Sequence, residues 1–80
     1  MFGSLPSLVV DLPADTPARI EVFDVQGRRL RTLADRMLPR GASVLVWDGR
    51  DAAGGRAPNG VYFARLTTPS LARTVRLLLR

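Results

Sequence analysis

Eighty residues leave room for one domain, and a chain this short removes only about 60–65% of its surface from water on folding. Hydrophobic residues make up 46% and charged residues 24%, a globular balance that excludes disorder. Apolar runs as short as Val44-Leu45-Val46-Trp47 exclude a membrane-spanning helix, and zero Cys with zero His removes thiol nucleophiles, imidazole bases, disulfides and the ordinary zinc, haem and iron–sulfur sites.

All 12 basic residues are Arg, set against 7 acidic ones, for a net charge of +5. Clustered arginine is the electrostatic footprint of nucleic-acid binding. Here the arginines are spread along the whole chain, with only Arg28, Arg29 and Arg31 close together, and the five aromatics are expected in strand cores. Arginines on the wet faces of strands are therefore the better reading, and nucleic acid is not the expected partner. No signal peptide is legible at the start, because Met1-Phe2-Gly3-Ser4 carries no base and Pro6 and Asp11 break the apolar piece that follows. Residues 1–6 read as a flexible or added lead.

Beyond them the pattern is period two, punctuated by Gly, Pro, Asp and Asn every 8–12 residues, which is the all-β signature. Residues 7–12 alternate Leu8, Val10 and Leu12 on one face and stop at Pro13. Residues 18–25 place Ile20 and Val22 on one face and Phe23 and Val25 on the other, a change of phase that predicts a bulge or burial on both sides. Gln26-Gly27 predicts a tight hairpin turn with Gly27 at positive φ, and residues 28–34 return as its partner, Leu30 inward and arginines outward. Residues 35–41 read as a connection closed by Pro39-Arg40-Gly41. Residues 42–47 form a strand with Ser43, Leu45 and Trp47 on one face, and residues 48–59 form the long loop. Residues 60–67 are a strand with Tyr62, Ala64 and Leu66 together. Residues 71–79 complete the set with Val75, Leu77 and Leu79 in phase. Six or seven short strands predict a small β-sandwich of two packed antiparallel sheets.

The polar residues offer little chemistry. Ser4, Ser7, Ser43 and Ser70 have neither His nor Lys as a base. Gly54-Gly55 is followed by Arg56 where a phosphate loop needs Lys. In the stretch Asp48-Gly49-Arg50-Asp51-Ala52-Ala53-Gly54, Arg50 and Ala52 stand where a calcium loop needs oxygen ligands. No catalytic, cofactor or metal residue is therefore expected, and the chain does not read as an enzyme. Asp24 and Asp48 read as turn carboxylates that accept nearby N–H groups. Trp47 reads as an anchor between sheets, and Tyr62 as a packed ring with a hydrogen-bonded hydroxyl.

In order along the chain stand Val22-Phe23-Asp24-Val25-Gln26-Gly27-Arg28-Arg29-Leu30-Arg31-Thr32-Leu33, then Leu38-Pro39-Arg40-Gly41, then Trp47-Asp48-Gly49-Arg50-Asp51 with Gly54 behind it. Asn59-Gly60-Val61-Tyr62-Phe63-Ala64-Arg65-Leu66 and a closing Leu77-Leu78-Leu79-Arg80 follow. With these motifs, from Ile20 to Leu79, the chain resembles the FlgD-like immunoglobulin-like domain, a module named after the flagellar hook-capping protein and overlapping the type IX (Por) secretion sorting domain. The resemblance implies an immunoglobulin-like sandwich whose signature residues are Asp24, Gly27, Gly41, Trp47, Asp48, Gly49, Gly60 and Tyr62. It also implies a non-catalytic role in sorting, anchoring or spacing an exported bacterial protein, or in structural assembly as in the hook cap. The implied location is extracellular or at the cell surface. The implied partners are an upstream domain of the same protein and export or surface-assembly machinery, with Leu77–Arg80 as the domain's ordinary end.

Overall fold

The computed structural model describes residues 5–80. Of the lead expected over residues 1–6, residues 1–4 lie outside the described residues, while the Pro6 carbonyl accepts the backbone N–H of Trp47 at 3.0 Å. Six strands follow: β1 (Ser7–Leu12), β2 (Thr16–Phe23), β3 (Arg29–Leu38), β4 (Gly41–Val46), β5 (Gly60–Thr67) and β6 (Ala72–Leu79). They form two antiparallel sheets, a two-stranded β1-β4 and a four-stranded β3-β2-β5-β6. The all-β sandwich of two antiparallel sheets is the fold the period-two pattern predicts, and its immunoglobulin-like form is the one the family resemblance implies. No helix among the described residues is long and apolar enough to cross a membrane.

Strand alternation decides which residues meet between the sheets. The buried set divides into two clusters: Val10, Leu12, Ala18, Ile20, Ala34 and Leu38 at one end, and Val22, Trp47, Tyr62, Ala64, Leu77 and Leu79 at the other. Leu8 and Leu33 touch both.

The structure corrects the sequence reading in four places. The connection expected over residues 35–41 is largely strand, because β3 runs on to Leu38 and pairs with β2 as far as Thr16↔Leu38. Its Asp35, a poor strand former, lies opposite Arg19 and holds its guanidinium at 3.5 Å. Pro17 is tolerated because the β2–β5 ladder begins only at Arg19, so no bond on that side is lost. The second correction concerns the bulge. Pairing of β2 with β5 is unbroken, and the register shifts lie against β3, where Leu33 and Leu30 are the extra residues. The two leucines are thereby turned towards the core.

Third, the hairpin turn is wider than Gln26-Gly27, because β2 runs Thr16–Phe23 instead of residues 18–25 and leaves Val25 exposed in the turn. Gly27 N–H donates to the Asp24 carbonyl and Asp24 N–H to the Arg28 carbonyl, both at 3.0 Å, with Gly27 at φ 83°. Fourth, the aromatics are not all in the core. Phe2 lies outside the described residues, Trp47 and Tyr62 are buried, but Phe23 and Phe63 face each other across β2 and β5 on the outer side of the larger sheet. The inward parity of Ile20, Val22, Tyr62 and Ala64 requires it.

Candidate functional site

Two regions stand out, one closed by its own hydrogen bonds and one left open. The closed region is the corner where β4 runs into the 48–59 loop. Trp47 is fully buried, and its ring meets Tyr62 edge-on with centroids 4.9 Å apart at 67°, a geometry the ring quadrupoles favour. Indole Nε1–H donates to the Arg50 carbonyl at 2.9 Å, and the Tyr62 hydroxyl donates to the Pro58 carbonyl. Each ring therefore packs in the core and pins one part of the loop.

The carboxylates of the loop serve the loop itself. Asp48 Oδ1 accepts the Arg50 N–H at 3.0 Å and the Arg31 guanidinium at 2.9 Å. The Arg50 N–H, and secondarily the Arg31 charge, hold the Asp48 carboxyl below its ordinary pKa. Asp51 Oδ1 accepts the N–H groups of Ala53 and Gly55 at 3.0 and 2.9 Å. Asp24 does the same in the hairpin, taking the N–H of Gln26 and Arg28 on Oδ1, and the Arg28 N–H lowers its pKa most. The carbonyl of Leu30, the bulge residue, accepts the Ala52 N–H at 2.9 Å and stitches the loop to β3. Gly49 sits at φ 80°, and a Cβ there would stand 3.1 Å from Leu79 Cδ1, so glycine is required both by the backbone and by the end of β6.

Of the residues expected as a signature, Trp47, Asp48, Gly49 and Tyr62 gather at this corner. Gly60 opens β5 beside it. Asp24 reaches its margin, lining a shallow cleft of about 280 Å³ with Arg28, Asp51, Arg56 and Tyr62. Gly27 stays at the hairpin tip, and Gly41 opens β4 away from the corner. Among the described residues no buried side-chain nitrogen or oxygen lacks a partner, and no three His, Cys, Asp or Glu side chains come together as metal ligands would.

The open region is the other margin of the sandwich. The inner face of β5 and β6 continues past β1, leaving a groove of about 400 Å³ lined by Leu8, Val10, Leu12, Leu66, Arg73 and Val75, among others. Val75 stands in the inward phase with Leu77 and Leu79, as expected, yet it is 46% exposed because the two-stranded sheet does not reach it. Sequence reasoning missed this site. The signal was present: counting back from Leu79 and Leu77 by twos puts Arg73 on the inner face, where a closed sandwich would not tolerate it. On the outer side of β1 and β4, Val9 and Val44 lie directly opposite each other, 65% and 64% exposed. Across the outer face of the larger sheet runs the row Arg29, Phe23, Phe63, Arg76.

A two-sheet, immunoglobulin-like β-sandwich with a self-satisfied aromatic corner thus defines the class. The chain belongs to the FlgD Ig-like domain family, whose model matches residues 3–70. That match stops before β6, although β6 supplies Leu77 and Leu79 to the core. Among solved structures the chain is similar to FlgD from P. aeruginosa, with a TM-score of 0.69 at 20% sequence identity over 95% of this chain and 60% of that one. At that identity the likeness shows the fold, and this chain spans 60% of the other's length. No curated protein matches it.

Proposed function

We propose that this domain is a non-catalytic structural module that assembles with other protein surfaces, as part of an exported bacterial protein. The observation that carries the reading is the contrast within the sandwich. The polar groups of the aromatic corner are engaged in holding the fold, while apolar side chains on the β1–β4 face and in the groove remain uncovered. Single exposed apolar residues need no explanation, but Val9, Val44 and Val46 are all exposed on the same face of the smaller sheet, and contiguous apolar surface of this kind supports a contact role. Membership of the FlgD Ig-like family supports an assembly role.

A sorting role for the last strand would act through the side chains it leaves uncovered, outward Thr74, Arg76 and Leu78 or Arg73 and Val75 in the groove, since Leu77 and Leu79 are core. Cutting off that strand would unfold the domain rather than test recognition. The row of Phe23 and Phe63 between arginines could attract a polyanion, but Glu21 stands beside it and takes Arg29 at 3.0 Å. That carboxylate weighs against nucleic acid.

Site-specific photocrosslinking in the source cells tests the proposal, with a photoreactive residue placed singly at Val44, Val75 or Leu78. A discrete covalent adduct with one protein from at least one position is expected. No adduct from any of the three would make the domain an inert spacer.

A further inference from the structure

The smaller sheet has two strands and the larger four, so β1 carries an open edge directly above uncovered inner surface of β5 and β6. We propose that this edge takes up an extended strand from a partner protein, which pairs with β1 and lays alternate apolar side chains into the groove, with a carboxylate at the Arg73 end. The proposal rests on the assembly reading and names its site and mode.

The backbone specifies a strand. Among the described residues β1 pairs with β4 along one side only, through all six of its residues, so its other side presents N–H and C=O groups without a ladder partner there. Such an edge is a template for another strand. The groove specifies the side chains. A strand added there would run over Leu66 and Val75, and with a period of two it would send every second residue down onto them.

Charge specifies the polar position. Arg73 lies opposite Leu66 in the inward phase and takes part in none of the ion pairs among the described residues. Covering an unpaired guanidinium is costly, so the arriving strand must bring a carboxylate to it. Leu66 belongs to the cluster of Val10 and Leu12, which places Arg73 towards the Leu12 end of β1. Geometry disfavours a second copy of this chain. Antiparallel pairing of two β1 edges would drive both four-stranded sheets into the same space beneath the joint, whereas a lone strand fits.

The competing account of Arg73 is protective: inward charges on edge strands deter pairing. Nuclear magnetic resonance titration of the 80-residue chain separates the two, using the peptides Glu-Thr-Val-Thr-Val-Thr and Thr-Val-Thr-Val-Thr-Glu, which suit the two strand directions. One of them is expected to shift the amides of β1 and the methyls of Leu66 and Val75. Replacing its central valine by proline is expected to abolish binding. Arg73→Glu should weaken binding at least tenfold, and changing the peptide's Glu to Lys should restore it. Val75→Glu should block binding, while Val44→Glu, on the other face, should not. The proposal is overturned if neither peptide binds at millimolar concentration, if the proline peptide binds equally, or if the shifts lie on the Val9–Val44 face. A dimer in sedimentation that covers the β1 edge would also overturn it. Adducts from Val44 or Leu78 without peptide binding would leave the assembly reading standing and remove this one.

Discussion

The two ends of the core bury six residues each but fill their space differently. The corner end holds Trp47 and Tyr62, whose polar tips reach carbonyls of the loop that covers them. The other end includes Ala18 and Ala34 among its six and borrows half-buried Leu45 and Leu66 at its margin. One end is therefore closed by large rings and short-range hydrogen bonds. The other is closed on one side only and leaves an inward valine and arginine in water. A domain of this size has little apolar surface to spare. Concentrating its aromatic bulk at one corner lets the fold hold while the opposite margin stays open.

The largest expected effect follows directly. Trp47→Ala removes the ring, its contact with Tyr62 and the indole bond to Arg50, and should cost about 3–5 kcal/mol. Total stability for a chain of this length is about 4–12 kcal/mol, so a marked fall in the melting temperature and the urea midpoint is expected when denaturation is followed by circular dichroism. A variant that melts like the parent would break the comparison, because the corner would then not be the anchored end.

Much of this was legible in the residues, and for identifiable reasons. Two of the strands, residues 7–12 and 60–67, have the bounds read from the sequence, because Pro13 and Asn59-Gly60 punctuate them sharply. Trp47 and Tyr62 could be placed because strand parity and ring size agree. The far half of β3 was not legible. Asp35, Arg36 and Pro39 read as loop residues, and only pairing with Thr16, Pro17, Ala18 and Arg19, which is tertiary, makes residues 35–38 a strand. The phase change in residues 18–25 leaves a bulge and burial on both sides as alternatives, and it does not show that the extra residues, Leu30 and Leu33, sit in the partner strand. The groove was missed for a related reason. Alternation tells which way Val75 points, but not whether a sheet lies over it.

A smaller effect should appear on acidification, and it belongs to the corner and the hairpin. Asp24 and Asp48 both have folded pKa values below the ordinary 3.8, chiefly through backbone N–H groups of Arg28 and Arg50. A carboxylate lowered in this way stabilises the fold above its unfolded pKa and loses that contribution as pH falls through the folded value. The melting temperature should therefore be flat near neutrality and decline below about pH 4, where carboxylates titrate. Asp24→Asn with Asp48→Asn should lower it at neutral pH and flatten the decline. An unchanged acid limb in the double variant would mean that these turn carboxylates are not what acid attacks.

The smallest effect is expected at the open margin, and it sharpens the comparison most. Val22 and Val75 both point inward, on β2 and β6, but Val22 is fully buried and Val75 is 46% exposed. Valine to threonine keeps the shape and adds a hydroxyl. At Val22 that hydroxyl would be buried among apolar neighbours, where an unmet polar group costs about 1–3 kcal/mol. At Val75 it can keep its water, and the change should fall within about 0.5 kcal/mol of zero, as at ordinary surface sites. Denaturation of the two variants side by side measures the difference between a covered and an uncovered inner face. Equal losses would mean that something covers Val75 in solution, and the sandwich would then have no open end.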